Sequence, residues 1–159
     1  YIMYALHALN TGIIIANKNG RNLARFVTDF KRKSPSTKIR LMGHSLGAHV
    51  ILSTIKNLAK NAKNVGILEA VYFFGASIPS DALSTRNGSA AQKIVATKIR
   101  NYYSQYDDVL RVADDWNWLV TPIGYSGAYG KTISKYSQTM VKPKNHRFAS
   151  YAAVLRSFP

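Results

Sequence analysis

The chain has 159 residues, of which 47% are hydrophobic and 18% charged. That is the size of one domain with enough apolar side chains to bury a core, and it excludes a disordered polymer. No run of 18 apolar residues occurs, which excludes a membrane-spanning helix within this stretch, and the absence of cysteine excludes disulfides, thiolate metal sites and a cysteine nucleophile.

The first residue is Tyr1, not Met, so the sequence reads as a fragment or processed piece, with any targeting signal or anchor upstream. The apolar stretch Ile2 to Ala16 carries His7, Asn10 and Thr11 and has no basic leader, which makes it a poor signal peptide. The compartment is left open between cytoplasmic and membrane-associated. Lysine and arginine number 22 against 7 acids, a net charge of +15. The excess is uneven: residues 1–64 hold 11 basic side chains against Asp29 alone, and residues 65–159 hold 11 against six acids. Such a charge is drawn to anionic membrane surfaces or to nucleic acid. No zinc-finger spacing or RNA-recognition signature accompanies it, so nucleic acid is not the expected partner. The spacing of Lys56, Lys60 and Lys63, and of Arg21, Arg25 and Arg32, also fits ordinary solvated helix faces.

In chain order, residues 2–16 predict a helix with a break at Asn10-Thr11-Gly12. Leu23, Phe26, Val27 and Phe30 fall on one face of a helix that stops at Ser34-Pro35. Lys38 to Met42 predicts a short strand, and Leu46 to Asn61 a helix with Ile51, Ile55 and Leu58 on one face. Ile67 to Phe74 is a nearly continuous apolar run, suited to a strand covered on both sides. After a loop with Pro79 and Asn87-Gly88, a helix is expected over Ser89–Ala96 and a strand over Lys98–Ser104. Asp107 to Asp115 opens a short helix, Asn117 to Lys135 is irregular, and Ser137 to Val141 is a last strand. His146 to Phe158 predicts a helix with Phe148, Tyr151, Ala152 and Leu155 on one stripe. Strands alternating with helices imply an α/β protein with a mainly parallel sheet flanked by helices.

Gly43-His44-Ser45-Leu46-Gly47 matches G-x-S-x-G, with a strand before it and a helix after it. On such a turn a serine hydroxyl stands clear of the sheet at a helix N-terminus, where the N–H of Leu46 can stabilise an oxyanion. Gly43 and Gly47 are expected where a side chain would collide with neighbouring elements. A serine nucleophile needs a base and an orienting acid, in the chain order Ser, acid, His. Of His7, His44, His49 and His146, only His146 follows Ser45 with acids in between. The acid comes from Glu69, Asp81, Asp107, Asp108, Asp114 or Asp115. Asp107 and Asp108 suit best because they follow a strand end directly, Asp81 comes third, and an aspartate before a helix is also a common N-cap. Trp118, Leu119, Val120, Ile123 and Tyr125 can line a pocket or lid, or simply pack.

Three stretches, Ile39 to Ala48, Val71 to Ser80 and Asn101 to Leu110, together with Asn19 to Ala24, resemble an α/β-hydrolase of the lipase and esterase type. More narrowly the chain resembles the hydrolase-like family that includes eukaryotic transmembrane and coiled-coil domain proteins. The resemblance spans roughly residues 13–157, and residues 1–159 then form one partial α/β-hydrolase domain, the C-terminal part of that fold. It implies Asp107 rather than Asp108 as the acid, and an aromatic after the last histidine, matched by Tyr151. The expected activity is a serine hydrolase cleaving a carboxylic ester, a lipid ester among the candidates. Ser45 is the nucleophile, His146 the base, Asp107 the orienting acid and Leu46 the oxyanion donor. No metal or organic cofactor is expected. The alternative is a non-catalytic module that binds anionic membranes or partners through a basic face. The resemblance also implies further strands ahead of residue 13, which would border the strand before Ser45 and supply a second oxyanion donor.

Overall fold

The computed structural model describes residues 2–116 and 121–159, with side chains over 10–112 and 121–159. Four strands form one all-parallel sheet in the order β1-β2-β3-β4: β1 (Arg40–His44), β2 (Leu68–Phe74), β3 (Val95–Tyr103) and β4 (Tyr136–Met140). The helices are α1 (Ile2–Lys33), α2 (Gly47–Leu58), α3 (Ser89–Ile94), α4 (Asp108–Trp116), α5 (Ile123–Ser126) and α6 (Phe148–Ala153). Every strand-to-strand connection carries a helix, as parallel neighbours require. The expected α/β class is therefore the observed one.

Strand β2 is interior, and from Ala70 onward its side chains alternate between two cores, past a register shift between Leu68 and Ala70. Leu68, Val71 and Phe73 join α1, α2 and α3 residues such as Val27, Ile51, Ile55 and Ile94 on one face. Ala70, Tyr72 and Phe74 pack with Val141 and Tyr151 on the other. An apolar run buried on both sides is what the unbroken composition of Ile67 to Phe74 predicts.

Three expectations are corrected. The break at Asn10-Thr11-Gly12 does not occur, because α1 runs through it without interruption. Gly12 costs that helix about 1 kcal/mol relative to alanine, and a Cβ there would lie 3.1 Å from the Leu46 side chain, so the position faces a packed neighbour. The buried stripe of α1 is Ala16, Gly20, Ala24 and Val27, while Phe26 is 62% exposed and stacks on Phe30. Small residues win this face because α2 presses close against it. The last helix covers only Phe148–Ala153, not His146 to Phe158. His146 lies in the turn before it, and Arg147, extended at the N-cap, starts the helix. Among the described residues no helix is long and apolar enough to cross a membrane.

Candidate active site

In a parallel sheet all strands end on the same side, so residues just past β1, β3 and β4 meet there. Ser45 follows β1, Asp107 lies four residues past β3, and His146 lies six residues past β4. The imidazole Nε2 of His146 is 2.9 Å from Ser45 Oγ, and its Nδ1 is 2.6 Å from Asp107 Oδ2. The structure thus brings together the serine, the histidine and the aspartate singled out from sequence.

Ser45 is the one non-glycine residue with positive φ among the described residues, at 53°. Such a backbone costs on the order of 1–3 kcal/mol and persists only where the surroundings over-determine it. Here both its peptide groups are pinned. Its N–H donates to the Phe74 carbonyl at 3.2 Å, and its carbonyl accepts from Ala48 at 3.1 Å and Ser77 at 3.2 Å. Gly43 fits the expected steric reason, since a Cβ there would lie 2.7 Å from Ile51 Cδ1 and 3.2 Å from Ala48 Cα. Gly47 does not: a Cβ there meets nothing within 4 Å, because the position opens the first turn of α2 without a close neighbour. Leu46 is the N-cap of α2, so its N–H is at the positive end of that helix beside Ser45.

Asp107 is fully buried. One oxygen, Oδ1, accepts the Leu110 N–H at 3.1 Å and so caps α4; the other, Oδ2, accepts from His146 and from the Tyr151 hydroxyl at 2.6 Å. One carboxylate therefore both caps α4 and hydrogen-bonds His146. Burial pushes its pKa up, but the bonds from His146, Tyr151 and Leu110 outweigh burial and hold the carboxyl below its ordinary value. Tyr151, itself fully buried, is pushed well above the ordinary phenol value by burial and by the adjoining carboxylate, and stays a donor. Sequence reasoning placed Tyr151 on an apolar stripe and, by resemblance, after the last histidine. Its hydroxyl partner had no local signal, because a buried tyrosine serves a core equally well.

His44 is the second residue whose role was hidden. Its Nε2–H donates to the His146 carbonyl at 2.5 Å, and the two rings lie 4.7 Å apart. Burial lowers its pKa most; the His146 carbonyl and the Asp107 charge oppose this, and the His146 ring adds to it. The neutral Nε2–H tautomer fits that bond.

The other candidates disperse. Asp108 is 86% exposed and pairs with Arg111 at 3.4 Å. Glu69 pairs with Lys38 at 3.6 Å, and Asp81 accepts from Asn87 Nδ2 at 3.0 Å. His49 bonds the Ser77 carbonyl at 3.0 Å. Ile123 is a core residue and Tyr125 is half-buried. Trp118, Leu119 and Val120, and the side chains of His7, Asp114 and Asp115, lie outside the described residues. No group of three His, Asp or Glu side chains able to hold a metal occurs among the described residues.

Residues 7–114 match the family model described as protein of unknown function, DUF726. The chain is 33% identical over 97 residues to a transmembrane and coiled-coil domain-containing protein of Oryza sativa subsp. japonica, and 30% identical over 102 residues to an uncharacterized membrane protein of Caenorhabditis elegans. It is 27% identical over 106 residues to a 3-phosphoshikimate 1-carboxyvinyltransferase of Caldicellulosiruptor bescii. These matches take in 61%, 64% and 65% of this chain but only 14%, 16% and 24% of the relatives' lengths. No solved structure matches it. The chain belongs to the DUF726 family.

Proposed function

We propose that this DUF726 chain is a serine hydrolase of the α/β-hydrolase type that cleaves carboxylic esters, with lipid esters the first substrates to test. The observation that carries the reading is the unbroken chain of hydrogen bonds from Ser45 Oγ through His146 to Asp107, mounted on a positive-φ serine at a helix N-terminus. Two bonds of 2.9 and 2.6 Å on opposite ring nitrogens give His146 a defined tautomer, with Nδ1–H toward the carboxylate and Nε2 accepting the serine proton.

In the reaction Ser45 Oγ attacks the ester carbonyl while its proton passes to His146 Nε2. The carbonyl oxygen becomes an oxyanion facing the Leu46 N–H. Collapse expels the alcohol, which takes the proton back from His146, and leaves an acyl group on Ser45. Water, deprotonated by His146, then releases the acid. Asp107 stays ionised throughout and holds the imidazolium that forms in each half; the bonds that depress its pKa favour that state. With an alcohol in place of water the same acyl-enzyme becomes an acyltransferase.

The test is labelling by a fluorophosphonate probe of the protein as its own cells make it, with Ser45→Ala beside it. Labelling at Ser45, lost in the alanine variant and reduced by a factor of about 10⁶ in His146→Ala, is expected. Silence of the folded protein would favour the non-catalytic module that binds anionic surfaces through its basic residues.

A further inference from the structure

Helices α1 and α2 touch where a Cβ on Gly20 would lie 2.3 Å from Ser53 Cβ. The Ser53 hydroxyl ties the contact by donating to the Asn17 carbonyl at 3.0 Å, while the Thr54 hydroxyl donates mainly to Val50 of its own helix at 2.7 Å and lies 3.3 Å from the Gly20 carbonyl. Beside this contact the two helices, the loop from Pro79 to Gly88 and the start of α3 frame a groove of about 670 Å³. Volumes of this order suit small-molecule ligands.

The groove has apolar walls, Leu52 and Ile55 among them, and cations along its border. Arg21 follows the contact glycine on α1, and Lys56 and Lys60, an i,i+4 pair by number, face it from the α2 side. These three cations border one concavity. Asp81, the one acid lining it, already accepts from Asn87 at 3.0 Å. Lys60 Nζ bonds Asn57 Oδ1 at 3.1 Å, while Arg21 and Lys56 have no hydrogen bond or ion pair among the described residues. His49 lines the end nearest the Ser45 turn, its ring held by the Ser77 carbonyl.

We infer that this groove between α1 and α2 is a binding site for a phosphate-bearing ligand, held by Arg21, Lys56 and Lys60. Phosphate presents acceptors and carries up to two charges, which matches the three bordering cations, none of which has a carboxylate partner among the described residues, while the apolar walls suit the rest of the ligand. The planar fork of Arg21 takes two phosphate oxygens, and the lysines act as point charges. The phosphate comes either from a soluble phosphate ester or from a phospholipid headgroup. The site does not depend on the hydrolase reading, since the groove residues are distinct from Ser45, Asp107 and His146.

The experiment is equilibrium binding at physiological salt with two probes, glycerol phosphate and phosphatidylcholine vesicles with or without phosphatidic acid. Four proteins are compared: wild type, Ser45→Ala, a groove variant and a charge-matched control. The groove variant is Arg21→Gln with Lys56→Gln and Lys60→Gln. The control is Lys98→Gln with Lys131→Gln and Lys144→Gln, three exposed cations away from the groove. All six side chains are exposed, so folding is expected to survive and is verified by circular dichroism. Binding of either probe, retained in Ser45→Ala, weakened at least about tenfold in the groove variant and under about threefold in the control, supports the site. Binding of glycerol phosphate assigns the soluble source; binding only to phosphatidic acid vesicles assigns the headgroup. Absence of binding to both probes, or equal weakening in the two charge variants, overturns it. Loss of activity in Ser45→Ala with binding intact separates this site from the reaction.

Discussion

Asp107 divides its two oxygens between folding and orientation: one starts α4, the other holds His146. The Tyr151 hydroxyl is the third donor to that carboxylate and shares Oδ2 with the imidazole. A bond from a neutral donor to a buried carboxylate is worth about 1.5–3 kcal/mol. Tyr151→Phe keeps the ring that packs on Ala70, Tyr72 and Phe74 and removes only that bond. We expect it to slow fluorophosphonate labelling of Ser45 about tenfold, and Asp107→Asn to slow it by about 10³–10⁴. The check is the labelling rate beside the urea midpoint. A Tyr151→Phe protein that is destabilised yet labels at the wild-type rate would reduce Tyr151 to a packing residue.

Helices α1 and α2 meet at small residues, and this explains why a stripe containing Phe26 was not the buried one. Gly20 has no Cβ because one would meet Ser53 Cβ at 2.3 Å and the Val50 carbonyl oxygen at 2.9 Å. The second neighbour is backbone, so the helices must part. Alanine favours a helix over glycine by about 1 kcal/mol, but overpacking costs about 1–3 kcal/mol and removes the Ser53 bond to α1. Gly20→Ala should therefore lower the urea midpoint, and Gly20→Ala with Ser53→Gly should recover part of the loss. A more stable Gly20→Ala protein would contradict the close contact.

The protein as a whole should lose stability on acidification in two stages. His44 and His49 have folded pKa values below the ordinary 6.5, chiefly through burial, so the unfolded chain takes up their protons first. Their contribution is complete above about pH 6.5 and declines as the pH falls from there toward the folded values. Asp107 is also depressed, so its contribution is complete above the ordinary 3.8 and declines only below it. His44→Gln retains a donor for the His146 carbonyl but does not titrate. Urea midpoints followed from about pH 7 to about pH 5 should fall less steeply in His44→Gln than in wild type. Equal slopes would mean that His44 does not hold its neutral form in the fold.

The α/β class, the strand-turn-helix around Ser45 and the buried strand β2 were legible in the chain because they follow from short-range pattern: glycines at one turn, alternation of strand and helix, an unbroken apolar run. Chain order narrowed the histidines to His146 by elimination. It left Asp107 and Asp108 equivalent, since adjacent aspartates carry the same local signal. Packing separated them: Asp107 is fully buried beneath Tyr151 and His146, and Asp108 lies 86% exposed beside Arg111. The same holds for Tyr151, His44 and the α1–α2 groove, whose partners lie 44, 102 and about 35 residues away in the chain. Local periodicity reports which face a side chain turns inward. Which distant group it meets there is decided only when the strand ends converge.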